Sequence, residues 1–107
     1  MSNNGSSNCK TCFIELLEEV IRDRIREGDE SKSYTARIAS KGIYYASRKL
    51  GEEALELVIE AIKGDRNAAV REAADLVYHL LVLLALTGLS IRDVVEELER
   101  RAQWRRE

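Results

Sequence analysis

Apolar residues recur along the chain every three or four positions, and polar stretches that contain glycine interrupt them three times. This periodicity is typical of amphipathic α-helices, and the alternation expected of β-strands is scarce. The pattern therefore predicts an all-α chain. Its four helices are expected at about 12–27, in a second segment that reaches Lys63 with a possible interruption at Gly42, at about 67–87 and at about 91–105.

Local signals mark several helix ends. Gly64 followed by Asp65 is a usual way for one helix to stop before an antiparallel partner begins. Ser90 with Asp93 forms a capping-box pattern for the fourth helix. Thr11 is expected to cap the first helix.

Two acidic motifs flank the turn at Gly64. Glu52, Glu53 and Glu56 form an EExxE pattern before it. Glu72 and Asp75 form an ExxD pattern after it. Residues three and four apart share a helix face, so each motif is expected to present its carboxylates on one side of its helix.

The two motifs are also mirror images about Gly64. Glu56 and Glu72 are each eight residues from this glycine, and Glu53 and Asp75 are each eleven residues from it. In an antiparallel hairpin, equal distances from the turn become facing positions. The sequence therefore predicts that these four acids converge into one patch.

Lys49 and His79, the only histidine, are each fifteen residues from Gly64 and are expected to face one another just beyond the acids. A functional role is favoured for Lys49 because it lies beside the carboxylates. For His79 two interpretations stay open: it orients a phosphate or a water, or it is an interior histidine with satisfied nitrogens.

Four or five clustered carboxylates repel one another and raise one another's pKa values. A bound divalent cation removes that cost, and an all-oxygen donor set favours Mg²⁺ or Mn²⁺ over zinc. Mg²⁺ commonly completes its coordination with substrate phosphates, which indicates a polyphosphate substrate. The alternative is a solvated acidic helix face without chemistry.

Cationic and hydroxyl side chains precede the acids. On the acid-bearing face of the second helix they are Lys41, Tyr45, Arg48 and Lys49. Lysine as a point charge and arginine as a fork suit phosphate binding. Further upstream, Tyr34, Thr35 and Arg37 offer hydroxyls and a guanidinium to a ligand. Ser33 or Thr35 acting only as a helix cap is equally consistent with the pattern.

Composition narrows the class of protein. Seventeen basic against nineteen acidic residues give no bias toward nucleic acid or an anionic membrane, and proline is absent. With 107 residues, one helical domain over 11–107 is expected. The longest apolar run, 80–86, is too short to span a membrane, so a cytoplasmic protein is expected.

The third predicted helix is apolar in every direction. A four-helix monomer of this size is expected to bury too little of that surface, so the sequence favours a homodimer with a shared bundle. The residues concerned are Leu76, Val77, Leu80, Leu81, Val82, Leu83, Leu84 and Leu86.

The N-terminal segment 1–10 is rich in Asn, Ser and Gly and is expected to be a flexible polar tail. Cys9 and Cys12 form a CxxC pattern, which suits half of a zinc site or a redox pair. With no second pair in the chain, two reduced thiols are favoured, and a metal shared between subunits is the lesser alternative.

Four separated blocks carry a family resemblance: SYTAR at 33–37, Lys-Gly at 41–42, KLGEEALE at 49–56 and EAADLVYHLLVLL at 72–84. Together they closely resemble the phosphoribosyl-ATP pyrophosphatases, the second enzymes of histidine biosynthesis, over about 13–101. That family is similar to the MazG-type enzymes and dimeric dUTPases, which share the EExxE and ExxD signature. The tail with its CxxC lies outside the resemblance.

The resemblance implies a four-to-five-helix bundle of the all-α NTP pyrophosphatase type, with a core shared across a homodimer or a higher oligomer. It implies Mg²⁺-dependent hydrolysis of the α,β anhydride of phosphoribosyl-ATP to phosphoribosyl-AMP and pyrophosphate, with Mn²⁺ as a substitute metal. A phosphoribosyl-AMP cyclohydrolase would be the functional neighbour.

The resemblance also implies roles for individual residues. The implied metal ligands are Glu53, Glu56, Glu72 and Asp75. The implied catalytic residues are Glu52, as a ligand or the residue that handles the attacking water, Glu53 and Lys49. The implied substrate-binding residues are Tyr34, Thr35, Arg37, Lys41, Lys49 and His79.

Two alternatives of different kinds stay open. A house-cleaning nucleoside triphosphate pyrophosphohydrolase would share the acids but lack the SYTAR and Lys-Gly blocks. A non-catalytic helical dimer would carry the acids only as a solvated face. A di-iron carboxylate bundle would need two ExxH pairs, and none is present in the sequence.

Overall fold

The structure, a computed structural model, describes residues 9–105. It contains four α-helices: α1 (Phe13–Glu27), α2 (Tyr34–Lys63), α3 (Arg66–Leu86) and α4 (Ile91–Arg105), preceded by a 3-10 turn at Lys10–Cys12. Within 9–105 there is no strand, so the predicted all-α class is confirmed. In the same range no single helix is long and apolar enough to cross a membrane, and only the bent pair of α3 and α4 meets that length and composition together.

The predicted turn between α2 and α3 is confirmed. Gly64 has a φ of 80°, a conformation that glycine adopts at little cost. Its N–H donates to the carbonyl oxygens of Glu60 at 3.1 Å and Ala61 at 3.2 Å. The Asp65 side chain then caps α3 by accepting from the N–H of Ala68 at 3.0 Å. The hairpin therefore has caps on both sides of its turn.

The interruption expected at Gly42 is also present. Gly42 has φ 92° and ψ 178°, a region that is essentially restricted to glycine. The residue breaks α2 into a short first segment and a long second one. Lys41 therefore precedes the break, and Tyr45 follows it.

Two other helix ends follow the sequence signals, and one does not. Ser33 caps α2 by accepting from the N–H of Ala36 at 3.1 Å. The reciprocal hydrogen bonds of the Ser90–Asp93 capping box are 2.9 Å and 3.2 Å long. The expected cap at Thr11 is wrong, because α1 begins after a 3-10 turn and Cys12 occupies its N-cap position without a side-chain hydrogen bond.

Cys9 and Cys12 are joined by a disulfide bond, so the prediction of two reduced thiols is wrong. The 3-10 turn between them brings their Cα atoms to 5.4 Å, which is within the usual disulfide range. Lys10 belongs to this turn rather than to the predicted tail. Residues 1–8 of that tail lie outside the described part of the chain.

The core forms where α1, α2 and α3 meet. Its fully buried side chains are Ile21 of α1, Ile38 of α2, and Leu81 and Val82 of α3. Ala46 is also buried and belongs to the same cluster. These contacts fix the N-terminal part of α2 against the C-terminal part of α3, so the acidic motifs project from the other end of the hairpin.

An apolar stripe on the second half of α2 has no cover in the described chain. It consists of Leu55, Val58, Ile59 and Ile62, which follow helical i, i+3, i+4, i+7 spacing. Between 45% and 81% of each side chain is exposed. Val70 of α3 is likewise 62% exposed.

Glu18 joins α1 to the start of α4. Its side chain is buried, and one carboxylate oxygen accepts from the N–H of Ile91 at 2.7 Å. Arg22 lies 3.8 Å from the same carboxylate and donates to the carbonyl oxygen of Leu89 at 2.9 Å. This carboxylate satisfies an N–H at the N-terminus of α4, where negative charge is favourable.

We expect Glu18→Ala to lower the free energy of unfolding by about 1–2 kcal/mol, because the N-terminus of α4 loses its acceptor. Glu18→Gln keeps an acceptor oxygen and should lose less. Urea unfolding followed by circular dichroism measures both, with the exposed neighbour variant Glu19→Ala as the control. Equal effects of Glu18→Ala and Glu19→Ala would contradict this role.

Candidate active site

The hairpin of α2 and α3 brings three of the predicted acids together. Glu53, Glu56 and Glu72 each offer a carboxylate oxygen, and these oxygens lie within 4.8 Å of one another. Equal distances from Gly64 do produce facing positions for Glu56 and Glu72. We refer to Glu53, Glu56 and Glu72 as the acid cluster.

Two oxygens of the acid cluster are buried without a hydrogen-bond partner in the described structure. They are Oε1 of Glu53 and Oε1 of Glu72. Because ionised carboxylates only accept hydrogen bonds, facing carboxylates cannot satisfy one another without a shared proton or a cation. An all-carboxylate donor set suits a hard divalent ion such as Mg²⁺. The residues present therefore fit a magnesium site.

The crowding changes the acidity of the cluster. The neighbouring carboxyl of Glu56, together with burial, raises the pKa of Glu72 to about 7. Burial raises the pKa of the Glu53 carboxyl, and the charges of Glu56 and Asp75 raise it further. Without a cation, Glu72 is therefore only partly ionised at neutral pH.

Asp75 and Glu52 lie at the edge of the acid cluster. Asp75 is exposed and outside the group of three oxygens, but its charge acts on both Glu53 and His79. Glu52 is exposed, and its carboxylate lies 3.4 Å from Nζ of Lys49. This contact is the main cause that raises the pKa of Lys49, with Tyr34 as the next cause. Lys49 therefore stays charged beside the carboxylates.

His79 is buried against two aromatic side chains. It is 5% exposed, and its Nδ1 has no hydrogen-bond partner in the described structure. Its ring meets Tyr34 at 6.0 Å and Tyr78 at 5.1 Å between centroids, both edge to face. Burial and the nearby charge of Lys49 lower the pKa of His79. The ring is therefore neutral at pH 7, with one nitrogen left for another partner.

Tyr78 is the site residue that sequence reasoning missed. Its hydroxyl forms a hydrogen bond with the hydroxyl of buried Thr35, and its ring stacks on Tyr34 at 6.1 Å. Burial raises the pKa of the Tyr78 hydroxyl. An aromatic residue inside an otherwise aliphatic stretch of α3, next to His79, is the signal that marks it.

The predicted substrate residues divide into two groups. Tyr34, Thr35 and His79 cluster with Tyr78, and the hydroxyl of Thr35 is engaged there. Arg37 is exposed; it donates to the carbonyl oxygen of Glu30 at 2.8 Å and lies over the Tyr34 ring at 5.8 Å.

Lys41 is exposed and lies over the ring of Tyr45 instead, at 4.7 Å. Along the hairpin, the predicted substrate residues therefore lie on one side of the acid cluster only. It is the side that is farther from the turn at Gly64.

Comparison with known proteins agrees with this arrangement. Residues 14–102 match the family model described as phosphoribosyl-ATP pyrophosphohydrolase. A phosphoribosyl-ATP pyrophosphatase of Pyrobaculum calidifontis is 56% identical over 88 residues, which cover 82% of this chain and 93% of that protein. Proteins of the same name from Metallosphaera sedula and Roseobacter denitrificans are 50% identical over 91 residues and 49% identical over 88 residues.

The coverage of these relatives is nearly complete. The match with the Metallosphaera protein covers 85% of this chain and 97% of that protein, and the Roseobacter match covers 82% and 83%. The matched range contains both acidic motifs and the hairpin between them. The chain belongs to the phosphoribosyl-ATP pyrophosphohydrolase family.

Proposed function

We propose that this chain hydrolyses the α,β anhydride of phosphoribosyl-ATP to phosphoribosyl-AMP and pyrophosphate, the second step of histidine biosynthesis, at the acid cluster. The observation that carries the site is the convergence of three carboxylates with two buried, unpartnered oxygens. Family membership supplies the reaction. A cytoplasmic location and a neighbouring phosphoribosyl-AMP cyclohydrolase belong to the same proposal.

The metal ligands in this proposal are Glu53, Glu56, Glu72 and Asp75. The first three already share one small volume, and Asp75 is near enough to act on the pKa of Glu53. Magnesium bound there would neutralise phosphate charge and acidify water, and manganese would substitute for it. Four carboxylates supply enough negative charge for such an ion and for the phosphates it accompanies.

Lys49 and Glu52 are the proposed catalytic pair next to the metal ligands. Lys49 is cationic and half-buried at the edge of the acid cluster, where it stabilises charge that develops on the departing pyrophosphate. Glu52, held by Lys49, orients the attacking water or accepts its proton. Glu53 adds a ligand oxygen. Because water is the attacking group, no side-chain nucleophile is required.

Substrate contacts are proposed for the residues on the same side. Tyr34 is 45% exposed and offers an aromatic face to the adenine. The buried, unpaired Nδ1 of His79 is proposed as a contact beneath the Tyr34 ring, and exposed Arg37 and Lys41 are proposed as cations for phosphate. Thr35 acts through Tyr78, because its hydroxyl is already hydrogen-bonded there.

A second copy of the chain is the proposed cover for the apolar stripe at Leu55, Val58, Ile59 and Ile62. Contiguous exposed apolar surface of this kind marks an interaction site in a globular protein. A twofold axis places the same surface on both copies, so the stripe would cover itself. The stripe lies on the helix that carries Glu53 and Glu56, so the proposed interface would lie beside the proposed site.

We expect wild-type protein to release pyrophosphate from phosphoribosyl-ATP only with Mg²⁺, and Glu56→Gln to be slower by roughly 100-fold or more, because the cluster loses a ligand oxygen and a charge. A pyrophosphate-release assay with dATP and dUTP in parallel measures this. Glu60→Gln, one turn further along α2 and paired with Lys63 at 3.5 Å, is the matched control.

Each outcome of this assay has a distinct meaning. Release from dATP or dUTP in preference to phosphoribosyl-ATP would assign the protein to the house-cleaning enzymes. A folded Glu56→Gln variant with wild-type activity would return the acid cluster to a solvated helix face.

In the presence of a chelator, we expect the free energy of unfolding of the metal-free protein to fall as pH rises from 5 to 8. A carboxyl in the unfolded chain ionises near 4.5, whereas Glu72 in the folded chain ionises at about 7. The stabilising contribution is therefore complete below 4.5 and is lost as pH rises through 7. Urea unfolding across this range should show a smaller decline for Glu72→Gln and for wild type with Mg²⁺. Parallel declines in wild type and Glu72→Gln would refute the assignment of the shift to this residue.

We expect Ile62→Glu to convert a homodimer into a monomer, because a charge on the 81% exposed Ile62 would be buried in the pairing. Light scattering after size exclusion would then report one 12.2 kDa chain instead of two. Tyr44→Glu, at a 93% exposed position on the same helix, should leave the dimer intact. A wild-type monomer at micromolar concentration would exclude the proposed pairing.

A further inference from the structure

A row of three side chains on α2 leads away from the acid cluster. Nζ of Lys41 lies 4.7 Å from the centre of the Tyr45 ring, and Cζ of Arg48 lies 5.4 Å from the same centre. Tyr45 and Arg48 are three residues apart on one helix face, and Lys41, on the other side of the break at Gly42, reaches the same ring. We call Lys41, Tyr45 and Arg48 the cation row.

The cation row carries more positive charge than its surroundings neutralise. Arg48 reaches the carboxylate of Glu52 at 3.8 Å. Lys41 has no carboxylate within 4.0 Å among residues 9–105. Two cations drawn to one aromatic ring repel each other, and an anion between them would relieve that repulsion.

The position of the row identifies which part of a substrate it meets. If the anhydride binds at Glu53, Arg48 lies about 8 Å before it along the helix axis, at 1.5 Å per residue. Lys41 lies further still, beyond the break at Gly42. A pyrophosphate group held at the acid cluster is too short to reach Lys41. The row therefore faces the end of the substrate that is distant from the scissile anhydride.

Phosphoribosyl-ATP has an anion at that end. Its additional ribose carries a terminal phosphate, which ATP and deoxynucleoside triphosphates lack. We propose that Lys41 and Arg48, aligned by the ring of Tyr45, bind this terminal phosphate and so select phosphoribosyl-ATP over ordinary nucleotides. The inference rests on the proposed function and adds the determinant of its specificity.

The chemistry of the row suits a phosphate monoester. Arg48 offers a planar fork of N–H donors, and Lys41 adds a point charge beside the same ring. Tyr45 is a positioning residue, because it holds both cations without itself needing to contact the phosphate. An ordinary nucleotide leaves these cations unpaired, so it gains nothing from the row.

The test compares the reaction product with its truncated analogue. Calorimetric titration and competitive inhibition give the affinities of phosphoribosyl-AMP, AMP and pyrophosphate for wild type, Lys41→Gln and Arg48→Gln. We expect each variant to bind phosphoribosyl-AMP roughly tenfold more weakly, because a charge-assisted contact is lost. AMP and pyrophosphate affinities should not change. Lys63→Gln removes one exposed lysine at the far end of the same helix and is the charge-matched control.

Tyr45 provides a separate readout. Tyr45→Phe keeps the ring and should retain the preference for phosphoribosyl-AMP over AMP. Tyr45→Leu removes the ring and should reduce that preference, with the loss in turnover falling on KM more than on kcat. A general packing defect would instead lower the affinities for phosphoribosyl-AMP and AMP together.

Three results would overturn the inference: equal weakening of AMP and phosphoribosyl-AMP, weakening of pyrophosphate alone, or no change in any affinity. These results differ from failure of the proposed function, which wild-type protein would show as an absence of Mg²⁺-dependent turnover of phosphoribosyl-ATP. Because titration needs no turnover, the preference for phosphoribosyl-AMP is measurable in either case.

Discussion

Repulsion between carboxylates across the α2–α3 hairpin is the constraint on which the site depends. Glu53, Glu56 and Glu72 are held within a few ångströms by helices whose positions the core determines elsewhere. The core contacts of Ile38 and Leu81 offset the electrostatic cost of that crowding. The acid cluster is therefore a place where the fold tolerates local electrostatic instability, which a bound cation would remove.

Two kinds of side chain surround the acid cluster, one packed in the protein and one exposed on long side chains. Thr35 and His79 are buried, and partly buried Tyr78 contacts both of them. Lys41 and Arg48 extend from the surface on long side chains that one aromatic ring restrains. In the proposed site, the first group would fix the geometry, and the second group would adjust to charge on a ligand.

Much of this arrangement was predictable because it depends on local patterns. The turn at Gly64 and Asp65, the capping box at Ser90 and the facing of Glu56 and Glu72 all follow from the spacing of residues near one another in the chain. The predicted family was confirmed by the comparisons. The interruption at Gly42 was predicted. The direction in which the chain turns there depends on backbone angles that the sequence does not specify.

Other features were not predictable. Most of them are contacts between residues that are far apart in the sequence. Glu18 accepts from Ile91, which lies 73 residues away, and no periodicity reports such a pairing. Tyr78 and Thr35 are 43 residues apart. The disulfide of Cys9 and Cys12 was not predicted, because the absence of a second cysteine pair carries no information on the short turn that brings the two residues together.

The mirrored spacing about Gly64 restricts how the length of this chain can vary. One extra residue inside α2 between Glu56 and Gly64 would rotate the preceding carboxylates by about 100° around the helix and displace them along it. An equal insertion in α3 would restore the distance along the hairpin but not the rotation. Length changes near the turn are therefore compatible with the acid cluster only as matched, near-whole turns in both helices, whereas the loops at 28–33 and 87–90 lie outside that restriction.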